Sequence, residues 1–276
     1  MLAVSPAHAD PSEVSLLTYN IHGLPGWIAR DDPPARIPKI LAQAKAYDVV
    51  LLQEDFAYHD AVIAHSPFAV LVRGNEPWAR GPLLEGAGLT ILSRFASVAS
   101  QREAYGVCNG WIAAANDCLG NKGFLMARIA LPNGALLDVW NTHLDAGDGD
   151  ADRAARAAQL ERLAAAMETQ SAGRPLVVGG DFNLEWDEPR DRALLERFAA
   201  RLGLHVAAQT PPDGWDSHLD SLWIRGVQRA DGGKDGRFVQ ADGEPLSDHP
   251  AIFARVRARK SISPEAQPAS EARSEP

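Results

Sequence analysis

At 276 residues and 46% hydrophobic content, the chain carries enough apolar side chains for one large layered domain with a real core. No uninterrupted apolar run reaches the roughly 18 residues that a membrane helix needs. A formal net charge of -9 argues against a broad basic surface that tracks nucleic acid, though it leaves room for a local one and for phosphate held through a metal.

The first residues, "MLAVSPAHAD", end in Ala7-His8-Ala9 before Asp10. That small-x-small pattern fits the cleavage site of a secretory leader, and a disordered start is the alternative, so residues 1–12 are set apart from the domain. Strand signals follow at "VSLLTYNI", "DVVLLQE" and "GLTILSR", with a helical pattern at "RIPKILAQAKAYD" between the first two. Cys108 and Cys118 close "CNGWIAAANDC", a ten-residue spacing with no CxxC pattern; one bridge or two separate thiols are both open, and a bridge would agree with export.

The strands "GFLMARIAL" and "ALLDVWNTH" flank Asn133-Gly134, a strong two-residue hairpin signal, so they should be antiparallel neighbours. The stretch "DRAARAAQLERLAAAMETQ" reads as a helix with Ala154, Ala158, Leu160, Ala164 and Met167 on its apolar face. Then come a buried strand in "PLVVGGDFN", a helix in "DEPRDRALLERFAARLG", and strands in "LDSLWIRG" and "HPAIFARV". Hairpins mixed with helical crossovers predict an α+β, four-layer sandwich: two stacked mixed sheets with helices outside, over residues 13–258. The closing "RKSISPEAQPASEARSEP" is poor in apolar anchors, so residues 259–276 are expected to be a disordered tail.

Polar residues collect where strands end. "LLTYNIHG" delivers Asn20 and His22, "VVLLQED" Glu54, and "LLDVWNTHLDAG" Asn141, His143 and Asp145. "VVGGDFN" delivers Asp181 and Asn183, "HLDSLWI" Asp220, and "LSDHPAIF" Asp248 and His249. One such residue is ordinarily a turn or cap, but six strand ends with the same habit point to a site. Hard oxygen ligands such as Glu54, Asn20 and Asp248 suit Mg²⁺, with Mn²⁺ or Ca²⁺ as alternatives. Histidines beside acids can move protons near neutral pH. Together they describe metal-assisted attack of water on phosphorus, while GxxxxGK[ST] and GxSxG are both missing from the sequence.

The ordered set "TYNIHG", "LLQED", "GLTILSR", "NTHLDAG", "GGDFN", "LDSLWI" and "SDH" resembles the endonuclease/exonuclease/phosphatase superfamily, with its DNase I-like fold. The resemblance implies Glu54 as main metal ligand with Asn20 beside it and Asp248 in support. It implies His249 as general base oriented by Asp220, Asp181 and Asn183 as holders of phosphate, water or leaving group, and His143 as stabiliser of charge on the phosphoryl oxygens. "NDCLGNKGFLMARI" resembles the sphingomyelinase branch, which makes Asp117 and Lys122 candidates for substrate binding. The acid that abasic-site endonucleases carry two residues after the first Asn is His22 here, which lowers the expectation of a repair nuclease.

The expectation is therefore an exported, secreted or periplasmic, Mg²⁺-dependent phosphodiesterase acting on a phospholipid headgroup. Transient contact with a membrane surface is included, and Trp27, Trp78 and Trp111 either touch lipid or wall the cleft. No obligate protein partner is implied. The alternatives are a DNase-like or toxin-type nuclease, an inositol phosphatase, and an inactive binding module; retention of Asn20, Glu54, His143, Asp181, Asn183 and His249 argues against the last.

Overall fold

The computed structural model describes residues 10–26, 30–74, 86–110, 117–211 and 219–259. Residues 1–9 of the proposed leader, the three loop tryptophans and nearly all of the proposed tail lie outside these residues. Among these residues twelve strands form two six-stranded mixed sheets. The first has the order β11(Gln228–Lys234), β12(Ile252–Arg257), β1(Glu13–Asn20), β2(Val49–Gln53), β4(Thr90–Ser93), β3(Val70–Arg73). The second runs β5(Ser97–Ala104), β6(Gly123–Ala130), β7(Leu136–His143), β8(Leu176–Asp181), β10(Asp220–Arg225), β9(His205–Gln209).

The sheets stack face to face because their strands alternate. Val14 and Leu16 of β1, Val49 and Leu51 of β2, Leu137 and Val139 of β7, and Val177 of β8 all enter one core between the sheets. The opposite faces are covered by helices. Leu17, Tyr19, Val50 and Leu52 pack under α1(Pro33–Ala44) and α2(His59–His65), while Trp140, Leu176, Val178 and Trp223 pack under α3(Asp150–Gln170) and α4(Pro189–Leu202). This is the four-layer sandwich that the mixture of hairpins and crossovers predicted.

The Asn133-Gly134 hairpin forms as expected: β6 and β7 are antiparallel, Gly134 takes φ 80°, and Asn133 Oδ1 accepts from the Ala135 amide. Two helices differ from expectation. Helix α1 starts three residues before Arg36, at Pro33, capped by the Asp32 side chain, and it ends at Ala44, short of the expected Asp48. The buried face of α3 is Asp152, Ala155, Arg156, Gln159, Leu160, Leu163, Ala164 and Met167; Ala154 is exposed. Arg156 and Gln159 take core-facing positions because they donate to the carbonyls of Asp145, Gly147 and Val107, so a purely apolar template misplaces the stripe. Cys108 and Cys118 are bridged, with 5.2 Å between their Cα atoms.

Candidate active site

The same alternation that builds the inter-sheet core builds the site. On β1 the inward positions run Val14, Leu16, Thr18, Asn20; on β8 they run Val177, Gly179, Asp181; on β7 they run Leu137, Val139, Asn141, His143. Each series is apolar at one end and polar at the other. Where the change occurs, Gln53 donates to Thr18 Oγ1 at 3.0 Å and across the sheets to Asn141 Oδ1 at 2.7 Å. Above this polar tie lie the candidate catalytic groups. His143, Asp181 and Asp220 are direct cross-strand partners on β7, β8 and β10, so register alone places them in a row.

Glu54 follows the last residue of β2 and by strict alternation would point away from the cleft. It takes φ 58°, a left-handed conformation, and its Oε1 then accepts from Asn20 Nδ2 at 3.1 Å. The Gly23 amide donates to the Glu54 carbonyl at 2.8 Å, an approach that a Cβ on Gly23 would block at 2.2 Å. Gly180 explains the second glycine of "VVGGDFN": with φ 147°, its Cβ would stand 1.9 Å from the Thr142 carbonyl oxygen.

Asn20 orients the acids in the site. Its Oδ1 accepts from the His22 amide, and its Nδ2 donates to Glu54 and, at 3.1 Å, to Asp181 Oδ2. Asn20 was expected as a metal ligand beside Glu54; in this arrangement it presents donor hydrogens, which hold the two carboxylates side by side. Asn183, at φ 48°, has its amide on Asp181 Oδ1 and its Nδ2 on the Leu144 carbonyl. Lys122, buried, donates to the same Leu144 carbonyl at 2.6 Å and to His143 Nε2 at 3.0 Å. Asp117 opens the short 3-10 turn Asp117–Leu119, and its side chain is outside the described residues. Asp248 stands at the rim, 56% exposed, 3.7 Å from His22 Nδ1.

Burial and charge set the ionisation states. Burial raises the Glu54 carboxyl above the usual range, outweighing the Asn20 hydrogen bond and the His249 and Lys122 charges. Burial also acts to raise Asp181, but the His249 and Lys122 charges and the Asn20 hydrogen bond hold it below the ordinary value. His143 is pushed down to about 3, by burial first and then by the Lys122 ammonium, so it is neutral. An ammonium can only donate, so His143 Nε2 accepts from Lys122 and the imidazole proton lies on Nδ1. His249 is opposite in character: burial would lower it, yet the carboxylates of Asp220, Asp181 and Asp248 hold it well above the ordinary value. Its Nδ1 lies 2.8 Å from Asp220 Oδ2, which leaves Nε2 facing the cleft, 3.8 Å from Asp181 Oδ2.

The donor set fits a divalent cation. Glu54 Oε2 is buried with no hydrogen-bond partner among the described residues, and ligand atoms of Glu54, His143 and Asp181 all lie within 4.8 Å of one another; with His143 Nε2 accepting from Lys122, the two carboxylates are the groups that offer lone pairs to the cation. A second such group joins Asp181, Asp220 and His249. Arg36 was read only as part of a helix. It stands at the spacing of the apolar stripe Pro33, Ile37, Ile40, Leu41, and that misfit is the signal that it faces the interior rather than the solvent.

A sandwich with His–Asp pairs and a half-buried glutamate at one end of its core has the groups a metal-assisted phosphoester hydrolase needs. Residues 17–249 match the Endonuclease/Exonuclease/phosphatase family, and the chain belongs to that family. It is 31% identical over 275 residues to a sphingomyelinase of Mycobacterium bovis, covering 90% of this chain and 54% of that protein, so it spans about half the length of this relative. Among solved structures it is similar to beta toxin from Staphylococcus aureus, an F277A, P278A mutant with bound magnesium ions (TM-score 0.69, 17% identity, 90% of this chain and 100% of the other). It is also similar to sphingomyelinase C from Streptomyces griseocarneus (TM-score 0.66, 18% identity, 90% and 99%). These likenesses show the DNase I-like fold.

Proposed function

We propose that the protein is an exported, Mg²⁺-dependent phosphodiesterase that hydrolyses a sphingomyelin-like phospholipid to a phosphorylated headgroup and a lipid alcohol. The observation that carries this reading is the orphaned, buried Glu54 Oε2 beside Asp181, opposite a histidine whose second nitrogen is fixed by a buried acid. Glu54 would hold the metal, with Asp181 adjacent and Asp248 in support from the rim; bound there, the cation supplies Lewis-acid polarisation of the phosphoryl group. Asp220 orients His249 so that Nε2 takes the proton of the attacking water. Asp181 and Asn183 position the water and phosphoryl group. Lys122 brings positive charge to the end of the cleft where the oxyanion develops, and neutral His143 holds that lysine in place. Asp117 would join Lys122 at the substrate.

The sphingomyelinase relatives support the lipid headgroup over nucleic acid or inositol phosphates, and the net charge of -9 agrees. The Cys108–Cys118 bridge supports an oxidising compartment, and no described helix is long and apolar enough to cross a membrane. The test is hydrolysis of sphingomyelin in mixed micelles beside supercoiled plasmid DNA, with and without Mg²⁺, with His249→Ala as control. Mg²⁺-dependent cleavage of lipid alone is expected. Cleavage of plasmid alone would overturn the substrate while keeping the catalytic roles.

A further inference from the structure

We propose that Arg36 is a positioning residue that locks the loop after Asn20 to the loop before His249, so that the acid-binding amide and the general base stay in fixed relation. This rests on the hydrolytic reading above for its catalytic consequence, but not for its structural core.

The geometry is specific. Arg36 lies on α1, buried, and donates from Nη1 to the carbonyls of Ile21 at 3.0 Å and Leu246 at 2.7 Å. Its Nη2 donates to the His22 carbonyl at 3.0 Å and lies 2.8 Å from Asp31 Oδ2. Ile21 and His22 directly follow Asn20; Leu246 stands three residues before His249. One rigid guanidinium thus holds two loops that are far apart in the chain, and Ser247 Oγ adds a parallel tie by donating to the Asn20 carbonyl at 2.7 Å.

Helix packing does not call for this residue. The stripe of Ile37, Ile40, Leu41 and Ala44 already seats α1 on its sheet, and an apolar side chain at position 36 would extend it without burying a charge. Instead the fold buries a guanidinium whose Nε has no hydrogen-bond partner among the described residues, while both Nη atoms are engaged on loop carbonyls. Its carboxylate partner among the described residues, Asp31, is also a loop residue. A lysine keeps the charge but offers a single centre, which cannot span both loops in the same way.

The test compares hydrogen–deuterium exchange in folded wild type, Arg36→Lys and Arg36→Met, with kcat and KM measured on sphingomyelin micelles in parallel. Amides of residues 20–23 and 246–249 should exchange faster together in both variants, while β6–β8 keep their protection. In the same variants kcat should fall by about 100-fold with KM little changed, since loosening misplaces the base more than it weakens binding. Guanidinium ion, too dilute to unfold the protein, should restore part of the kcat of Arg36→Ala. Exchange that rises in only one loop, or a wild-type kcat in folded Arg36→Met, would overturn the proposal. If Arg36→Met does not fold, Arg36→Lys decides. A wild type that cleaves no sphingomyelin defeats the substrate assignment, and the exchange comparison then decides the coupling by itself.

Discussion

His249 Nδ1 and Asp220 Oδ2 lie 2.8 Å apart although they belong to opposite sheets: Asp220 opens β10, and His249 precedes β12. The pair spans the sandwich at its polar end, so the relative placement of the two sheets sets its geometry. Asp220→Asn should lower kcat by about 10²–10⁴-fold, because the amide neither fixes the tautomer nor stabilises the imidazolium. Burial and the acids act on His249 in opposite senses, and removing one acid lets burial pull its pKa down. A general base works deprotonated, so the acidic limb of kcat/KM should move to lower pH. A pH–rate series with an unmoved limb would sink the assignment.

Glu54 makes an opposite prediction for stability and for activity. Its carboxyl is raised by burial, so ionised Glu54 destabilises the metal-free fold once the pH exceeds the ordinary carboxylate value. In EDTA at neutral pH, Glu54→Gln should therefore melt no lower than wild type. Mg²⁺ should raise the Tm of wild type and not of the variant. Calorimetry with and without the metal checks both; a Mg²⁺ shift retained in the variant would remove Glu54 as main ligand.

Gly23→Ala should displace the turn that brings Glu54 into the cleft, since the new Cβ would stand 2.2 Å from the Glu54 carbonyl oxygen. Overpacking of this kind costs about 1–3 kcal/mol. The expected signature is weaker Mg²⁺ binding, read by titration calorimetry on protein that keeps its secondary structure. Unchanged affinity would show that the left-handed turn does not matter to the metal.

Lys122→Met should lower turnover by about 10–100-fold through lost charge at the developing oxyanion. It also has a spectroscopic consequence. Burial is the larger cause of the depressed His143 pKa and the ammonium the next, so the variant should titrate His143 above about 3 yet below its ordinary value. Histidine NMR across pH reads this directly, and an unmoved His143 would contradict the 3.0 Å contact.

Loss of the Cys108–Cys118 bridge, by reduction or by paired serine substitution, should cost about 2–3 kcal/mol. The bridge sits beside Asn109, whose amide donates to Asp145 Oδ2 and whose side chain donates to Asp152, and its far end lies four residues before Lys122. Substrate affinity should weaken more than metal affinity. Equal KM in bridged and reduced protein would separate the loop from substrate binding.

The eight strands legible in the sequence are the interior ones, β1, β2, β4, β6, β7, β8, β10 and β12, and the four that escaped are the edges β3, β5, β9 and β11. The division is physical. Interior strands are covered on both faces and become apolar runs, whereas β5 and β11 are largely exposed and carry residues such as Gln101, Arg102 and Glu103 that match no buried template. Site residues were legible for a related reason: a polar side chain at the end of an apolar strand is costly unless it has a task.

What the sequence determined by itself is the inventory: two glycines where Asp181 needs close backbone, acids and histidines at strand ends, and a hairpin at Asn133-Gly134. Tertiary structure decided the wiring. That Asn20 turns its amide nitrogen to two carboxylates, that Lys122 rests on His143 and Leu144, and that Arg36 faces loop carbonyls instead of water all depend on partners distant in the chain. Periodicity reports which face a side chain occupies, but a hydrogen bond is fixed by distance and direction to its partner, and only the packed sheets supply those.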